Sequence, residues 1–93
     1  MKATWNGEVI ADSDATLEVQ GYAYFPRAAV RMERLVAVPR NTSDLACPHG
    51  VRFFDVIGDS ARSERAAWSY EAPRGTMQRV DHWIGFWQDV VVA

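Results

Sequence analysis

VRFFDVI, residues 51–57, sets Phe53 and Phe54 side by side, with Val51 before them and Val56 and Ile57 after. Successive side chains of a strand point to opposite faces, so this run is apolar on both faces near its middle. It is predicted to be a central strand, entered after Pro48 and Gly50 and turned by Gly58-Asp59.

Working outward, short strand signals recur. Ala3-Thr4-Trp5 and Glu8-Val9-Ile10-Ala11 flank Asn6-Gly7, the pair suited to the positive φ angles of a type I′ hairpin. Asp12-Ser13-Asp14 is a second turn. Thr16 to Gln20 then alternates its faces, and Gly21 leads into Tyr22, Tyr24 and Phe25. Pro26 suits the first turn of a helix, so Pro26 to Val30 is predicted as one helical turn. Arg31 to Val38 opens with helix formers and closes β-branched, and the valine-rich end favours strand. Pro39 to Asp44 is expected to be a polar loop. After residue 57, Ser60 to Arg65 is expected as a polar connection, with strands at Ala67 to Tyr70, Val80 to Trp87 and Val90 to Val92. Seven or eight short strands, at most one short helical turn and no helix-length periodic segment predict an all-β sandwich or open barrel, as a single domain over residues 1–93.

The chain has 93 residues, 48% apolar and 24% charged, with a formal net charge of −2. That composition suits one globular core and not a disordered segment. Neither sign of charge forms a run, which argues against nucleic acid as a partner. No stretch approaches the roughly 20 apolar residues of a membrane span, and none at the start has signal-peptide length. One cysteine forms no internal disulfide and fits a reducing compartment, so a cytoplasmic location is expected. Cys47, His49 and His82 are three potential zinc ligands where a structural site wants four, so neither a metal nor another cofactor is expected.

Three motifs bear on chemistry. Cys47 precedes His49 by two residues on a turn, which suits either a nucleophile beside a base or a small buried hydrophobe. Arg31 and Glu33 would share a strand face, either as a solvated edge or as a clamp for a polar substrate. Four tryptophans, with Tyr22, Tyr24, Phe25, Phe53, Phe54, Tyr70 and Phe86, are a heavy aromatic load that fills a core or lines a ligand cleft. Asp12-Ser13-Asp14 has the look of a magnesium carboxylate pair, but no glycine-rich phosphate loop accompanies it, and no P-loop, dinucleotide or serine-hydrolase motif occurs.

These residues together resemble the small bacterial domain of unknown function 427. The carriers are Met1-Lys2-Ala3 to Ile10, Tyr24-Phe25-Pro26 with Val30, Arg31, Glu33 and Leu35, Thr42 with Cys47-Pro48 and Gly50, Ala66-Ala67-Trp68-Ser69-Tyr70 with Pro73, and Gly85-Phe86-Trp87. The resemblance runs nearly end to end and implies a β-tent, Mss four-like arrangement of two antiparallel sheets, here without the zinc knuckles of better-known relatives of that fold. The family is sometimes labelled a nucleotidyltransferase, which no motif in this chain supports. It usually writes Cys-Pro, an aromatic residue, Lys and Gly at the turn, whereas Cys47-Pro48-His49-Gly50 is one residue shorter and has no lysine. The expected activity is binding of a small molecule or partner in an aromatic-lined cleft near Cys47, with Tyr24, Arg31, Glu33, His49, Trp68 and Tyr70 as contact residues. The alternatives are an enzyme using Cys47 or the Arg31 and Glu33 pair, and a structural protein-interaction module.

Overall fold

The computed structural model describes all residues, Met1–Ala93, and folds them into two antiparallel sheets with only short helical segments. Strands β1 (Lys2–Trp5) and β2 (Glu8–Asp12) form the predicted hairpin, with Asn6 and Gly7 at φ 52° and 78°. Strands β3 (Leu17–Val19) and β4 (Tyr22–Phe25) form a second hairpin, and Arg27–Ala29 makes the 3₁₀ turn that Pro26 signals.

The next segment departs from expectation. Met32–Arg34 is a 3₁₀ turn, and only Leu35–Ala37 is strand, β5. Arg31 instead ties its backbone N–H to the carbonyl of Ile10 at 2.8 Å, so Arg31 and Glu33 do not share a strand face. The expected loop also contains a one-turn helix, α1 (Thr42–Leu45). The Asn41 side chain accepts from the Asp44 N–H, and the Asp44 carboxylate accepts from the Asn41 N–H, a reciprocal cap that satisfies two otherwise orphaned donors.

Strand β6 (Val51–Ile57) is the predicted central run. Its partner β7 (Arg62–Tyr70) starts five residues earlier than the apolar pattern indicates. Arg62 and Glu64 are exposed while Ser63 is buried, so the polar stretch alternates as a half-covered strand does. A bulge follows, with Arg65 at φ 55°. The Asp55 carboxylate holds it by accepting from the Arg65 backbone N–H at 2.9 Å and from Arg62 Nε at 2.7 Å. Gly75–Val80 is a 3₁₀ helix that takes in the start of the strand expected from Val80, because Met77 and Val80, three residues apart, both turn inward and are buried. Strands β8 (Ile84–Phe86) and β9 (Val91–Val92) close the chain. No helix is long and apolar enough to cross a membrane.

The smaller sheet has the order β2-β1-β9 and the larger the order β3-β4-β8-β7-β6-β5. Ala3, Trp5, Ile10 and Ala11 of the small sheet pack with Phe25, Phe54, Val56, Ala67, Ile84 and Phe86 of the large one in the main core. A bulge in the β1–β2 pairing lets both Ile10 and Ala11 face inward. Tyr24, Val51, Trp68, Met77 and Val80 form a second cluster. Adjacent residues thus serve different clusters, Tyr24 against Phe25 and Ala67 against Trp68, which is why so many strands are apolar on both faces.

Candidate functional site

The second cluster contains the site. Tyr24, Gly85, Trp68 and Phe53 are cross-strand partners in one row over β4, β8, β7 and β6. Gly85 offers no side chain, and the Trp68 indole fills that space: a Cβ at position 85 would lie 2.6 Å from its Cζ2. Leaning across β8, the indole meets Tyr22 and Tyr24 edge to face, with centroids 5.0 and 5.9 Å away. On the other side Trp87 packs edge to face on Trp68 at 5.7 Å and stacks on Phe53 at 6.1 Å. Val51, Phe53, Trp68, Tyr70 and Trp87 line an open cleft of about 150 Å³.

Its polar equipment is sparse and specific. Trp68 is buried, and its Nε1 is the one buried side-chain nitrogen or oxygen with no hydrogen-bond partner. Burial pushes the Tyr24 phenol up to about 12. The Trp68 N–H opposes that shift by favouring the phenolate, and Tyr70 reinforces it. The indole N–H therefore faces the phenol electrostatically while falling short of hydrogen-bond geometry.

The walls are held from behind. Trp87 Nε1 donates to the carbonyl of Arg65 at 2.6 Å, and the Arg65 guanidinium lies 4.0 Å from the Phe53 ring centroid. That guanidinium also grips buried Asp44 with two bonds, of 3.1 and 2.7 Å. The pairing holds the Asp44 carboxyl below the usual carboxylate range, against the opposing effect of burial.

Of the residues singled out in the sequence, Tyr24, Trp68, Tyr70, His49 and Cys47 gather here. The His49 ring packs against Tyr70 at 5.4 Å, and Cys47 is a partly buried side chain against the same cluster. The thiol makes no hydrogen bond to His49, whose Nδ1 accepts the Arg74 backbone N–H at 3.0 Å. Arg31 and Glu33 stand apart. Arg31 reaches Glu8 at 3.5 Å from an exposed position, Glu33 is exposed, and neither lines the cleft. No three His, Cys, Asp or Glu side chains are grouped to hold a metal ion.

Arg65 and Asp44 are the participants that sequence reasoning missed, while Phe53 and Trp87 enter it only within the general aromatic load and not among the contact residues. Phe53 is visible as the odd-numbered member of the Phe53-Phe54 pair, and Gly85 next to Phe86-Trp87 marks a place of close approach. No local signal links Arg65 to Asp44, which are 21 residues apart.

The fold and site define a small all-β domain with an aromatic cleft on its larger sheet. The chain belongs to the family described as a domain of unknown function (DUF427), whose model matches residues 1–93. No curated protein matches it significantly.

Proposed function

We propose that this domain binds a small molecule in the cleft between Trp68, Phe53 and Trp87. The observation that supports this best is the lining of that cleft: Val51, Phe53, Trp68, Tyr70 and Trp87 border an open depression with no charged side chain among them, which suits an apolar or aromatic guest. The β-tent arrangement, a metal-free core and a cytoplasmic setting belong to the same proposal.

The test is a titration of a panel of single-ring aromatic compounds into protein carrying ¹⁵N in its four tryptophan indoles. The resonances of Trp68 and Trp87 are expected to move and that of Trp5, which donates to Asp89, to stay. Unmoved resonances across the panel, or equal movement of all four, would end the proposal.

A second reading, contact with another protein, has one observation of its own. Val9 and Val91 flank Thr4 in cross-strand register on one face of the small sheet, and 38% and 63% of their surfaces are exposed. Replacing both valines by lysine would abolish any concentration-dependent association that this face mediates.

A further inference from the structure

Apart from the aromatic cleft, we infer that a cavity between the two sheets is a second site, binding a small carboxylate anion on the free edge of the Arg34 guanidinium. The cavity, of about 240 Å³, lies where the β1–β2 hairpin meets the segment before β5 and the turn after β6. Trp5 and Ile10 from the small sheet and Ile57 from the large one form its apolar lining, and Glu8, Arg34 and Asp59 its charged lining. Its other lining residues carry no charge.

Arg34 is half used. Its Nε and Nη2 donate to the two carboxylate oxygens of Glu8 at 2.9 and 3.0 Å, which occupies one edge of the planar fork. The second edge, Nη1 with the remaining N–H of Nη2, has no bonded partner. The carboxylate that approaches it, Asp59, stops 3.7 Å from Nη1, beyond hydrogen-bond reach, with its side chain 99% exposed.

Charge decides what that edge would take. Glu8 is shared between Arg34 and, from an exposed position 3.5 Å away, Arg31, so two guanidiniums face one carboxylate. The excess positive charge is met only by Asp59, which solvent screens and no hydrogen bond holds. A ligand carboxylate presents two oxygens in one plane, the pattern the free fork matches, and can replace Asp59 there without leaving a charge unbalanced. A dianion would overcompensate beside Glu8, and a cation would face the guanidinium directly. The lining of Trp5, Ile10 and Ile57 suits a short hydrocarbon body behind the carboxylate.

The test titrates the ¹⁵N-labelled full-length protein with propanoate, propanamide and inorganic phosphate, and with sodium chloride at matched ionic strength. Propanoate should move the Trp5 indole and Arg34 Nε signals and leave those of Trp68 and Trp87 still. Propanamide, of nearly the same shape, should bind at least about tenfold more weakly, the value of bonds to a charged group. Asp59→Asn removes the competing carboxylate from a solvated position, so affinity for propanoate should rise about two- to fivefold. Arg34→Lys keeps the charge without the fork and should lower that affinity about tenfold. Should Arg34→Lys not fold, Asp59→Asn decides, because its side chain packs against nothing that folding needs. Propanamide or phosphate binding as tightly as propanoate overturns the ligand class. Chloride reproducing the shifts, Trp5 and Arg34 signals that stay still with propanoate, or an affinity that fails to rise in Asp59→Asn overturns the site. None of these outcomes bears on the aromatic cleft, whose reporters are Trp68 and Trp87.

Discussion

Gly85 and Trp68 are packed backbone against ring: a methyl group at position 85 would fall 2.6 Å from Cζ2 and 2.7 Å from Cε2 of the indole. Both atoms belong to a fused ring buried among other aromatics, so neither can swing aside as the end of a flexible chain would. Gly85→Ala is expected to destabilise the fold by about 1–3 kcal/mol through overpacking and to displace Trp68 from the cleft. Gly7→Ala is the control. Gly7 has φ 78° and nothing within 4 Å of its missing Cβ, so the change should cost about 1 kcal/mol of backbone strain and leave the cleft intact. Urea denaturation with near-ultraviolet circular dichroism distinguishes the two. An aromatic spectrum left unchanged by Gly85→Ala would contradict the packing.

Tyr24 supplies a second expectation. Burial, the dominant influence, holds its phenol up to about 12 against an ordinary value of 10. The folded state therefore favours the protonated ring. That contribution to stability is whole below pH 10 and is lost as the pH climbs toward 12. Spectrophotometric titration of the three tyrosines should show one ionising near pH 12, and Tyr24→Phe should remove that step. A late step that survives the substitution would assign the shift to another residue.

The turn at Cys47 can be tested for nucleophile chemistry directly. His49 spends its Nδ1 on the Arg74 N–H and its ring on Tyr70, so it holds the 47–50 turn against the segment after β7. His49→Ala is expected to cost about 1 kcal/mol, the value of one modest hydrogen bond, and to leave the rate of Cys47 alkylation in the folded protein unchanged. A marked fall in that rate would show that the imidazole activates the thiol.

How far the sequence reached depended on whether the deciding interaction was local. The Asn6-Gly7 hairpin, the aromatic strand ending at Phe25 and the run at 51–57 follow from turn chemistry and period-two patterning within a few residues. The gathering of Tyr24, Trp68 and Tyr70 depends on the strand order β4-β8-β7, which local patterning does not give. Arg31 to Arg34 was harder, because its conformation follows a long-range bond from Arg31 to Ile10 that overrides a mixed propensity. The helix at Thr42–Leu45 did carry a local signal, Asn41 followed three residues later by Asp44, which the polar composition masked. The early start of β7 and the bulge at Arg65 depend on Asp55 in the neighbouring strand, and no spacing rule exposes that contact.

The pairing of Arg65 with Asp44 makes the last prediction. Asp44 caps α1 and is 3% exposed at its side chain, while Arg65 spans from that carboxylate to the Phe53 ring that walls the cleft. Losing one partner of a fully buried pair costs about 3–5 kcal/mol; with Arg65 32% exposed, solvent compensates in part, and Asp44→Asn is expected to cost roughly 2 kcal/mol at neutral pH. The Arg65 bonds hold the folded carboxyl below its unfolded value of about 4, so folding favours the ionised form. Its contribution is therefore present above about pH 4 and declines as the pH falls through the lower folded value. The stability gap between the natural protein and Asp44→Asn should be widest near pH 7 and narrow steadily in acid, whereas a packing defect alone would leave it constant. Arg65→Lys keeps the charge but not the two-pronged grip or the flat face on Phe53, so it should also weaken binding of single-ring aromatic compounds in the cleft, a loss that Asp44→Asn shares only to the extent that Arg65 shifts. Denaturant midpoints for both variants across that pH range, with ligand titration at pH 7, separate an ion pair that merely stabilises α1 from one that shapes the cleft.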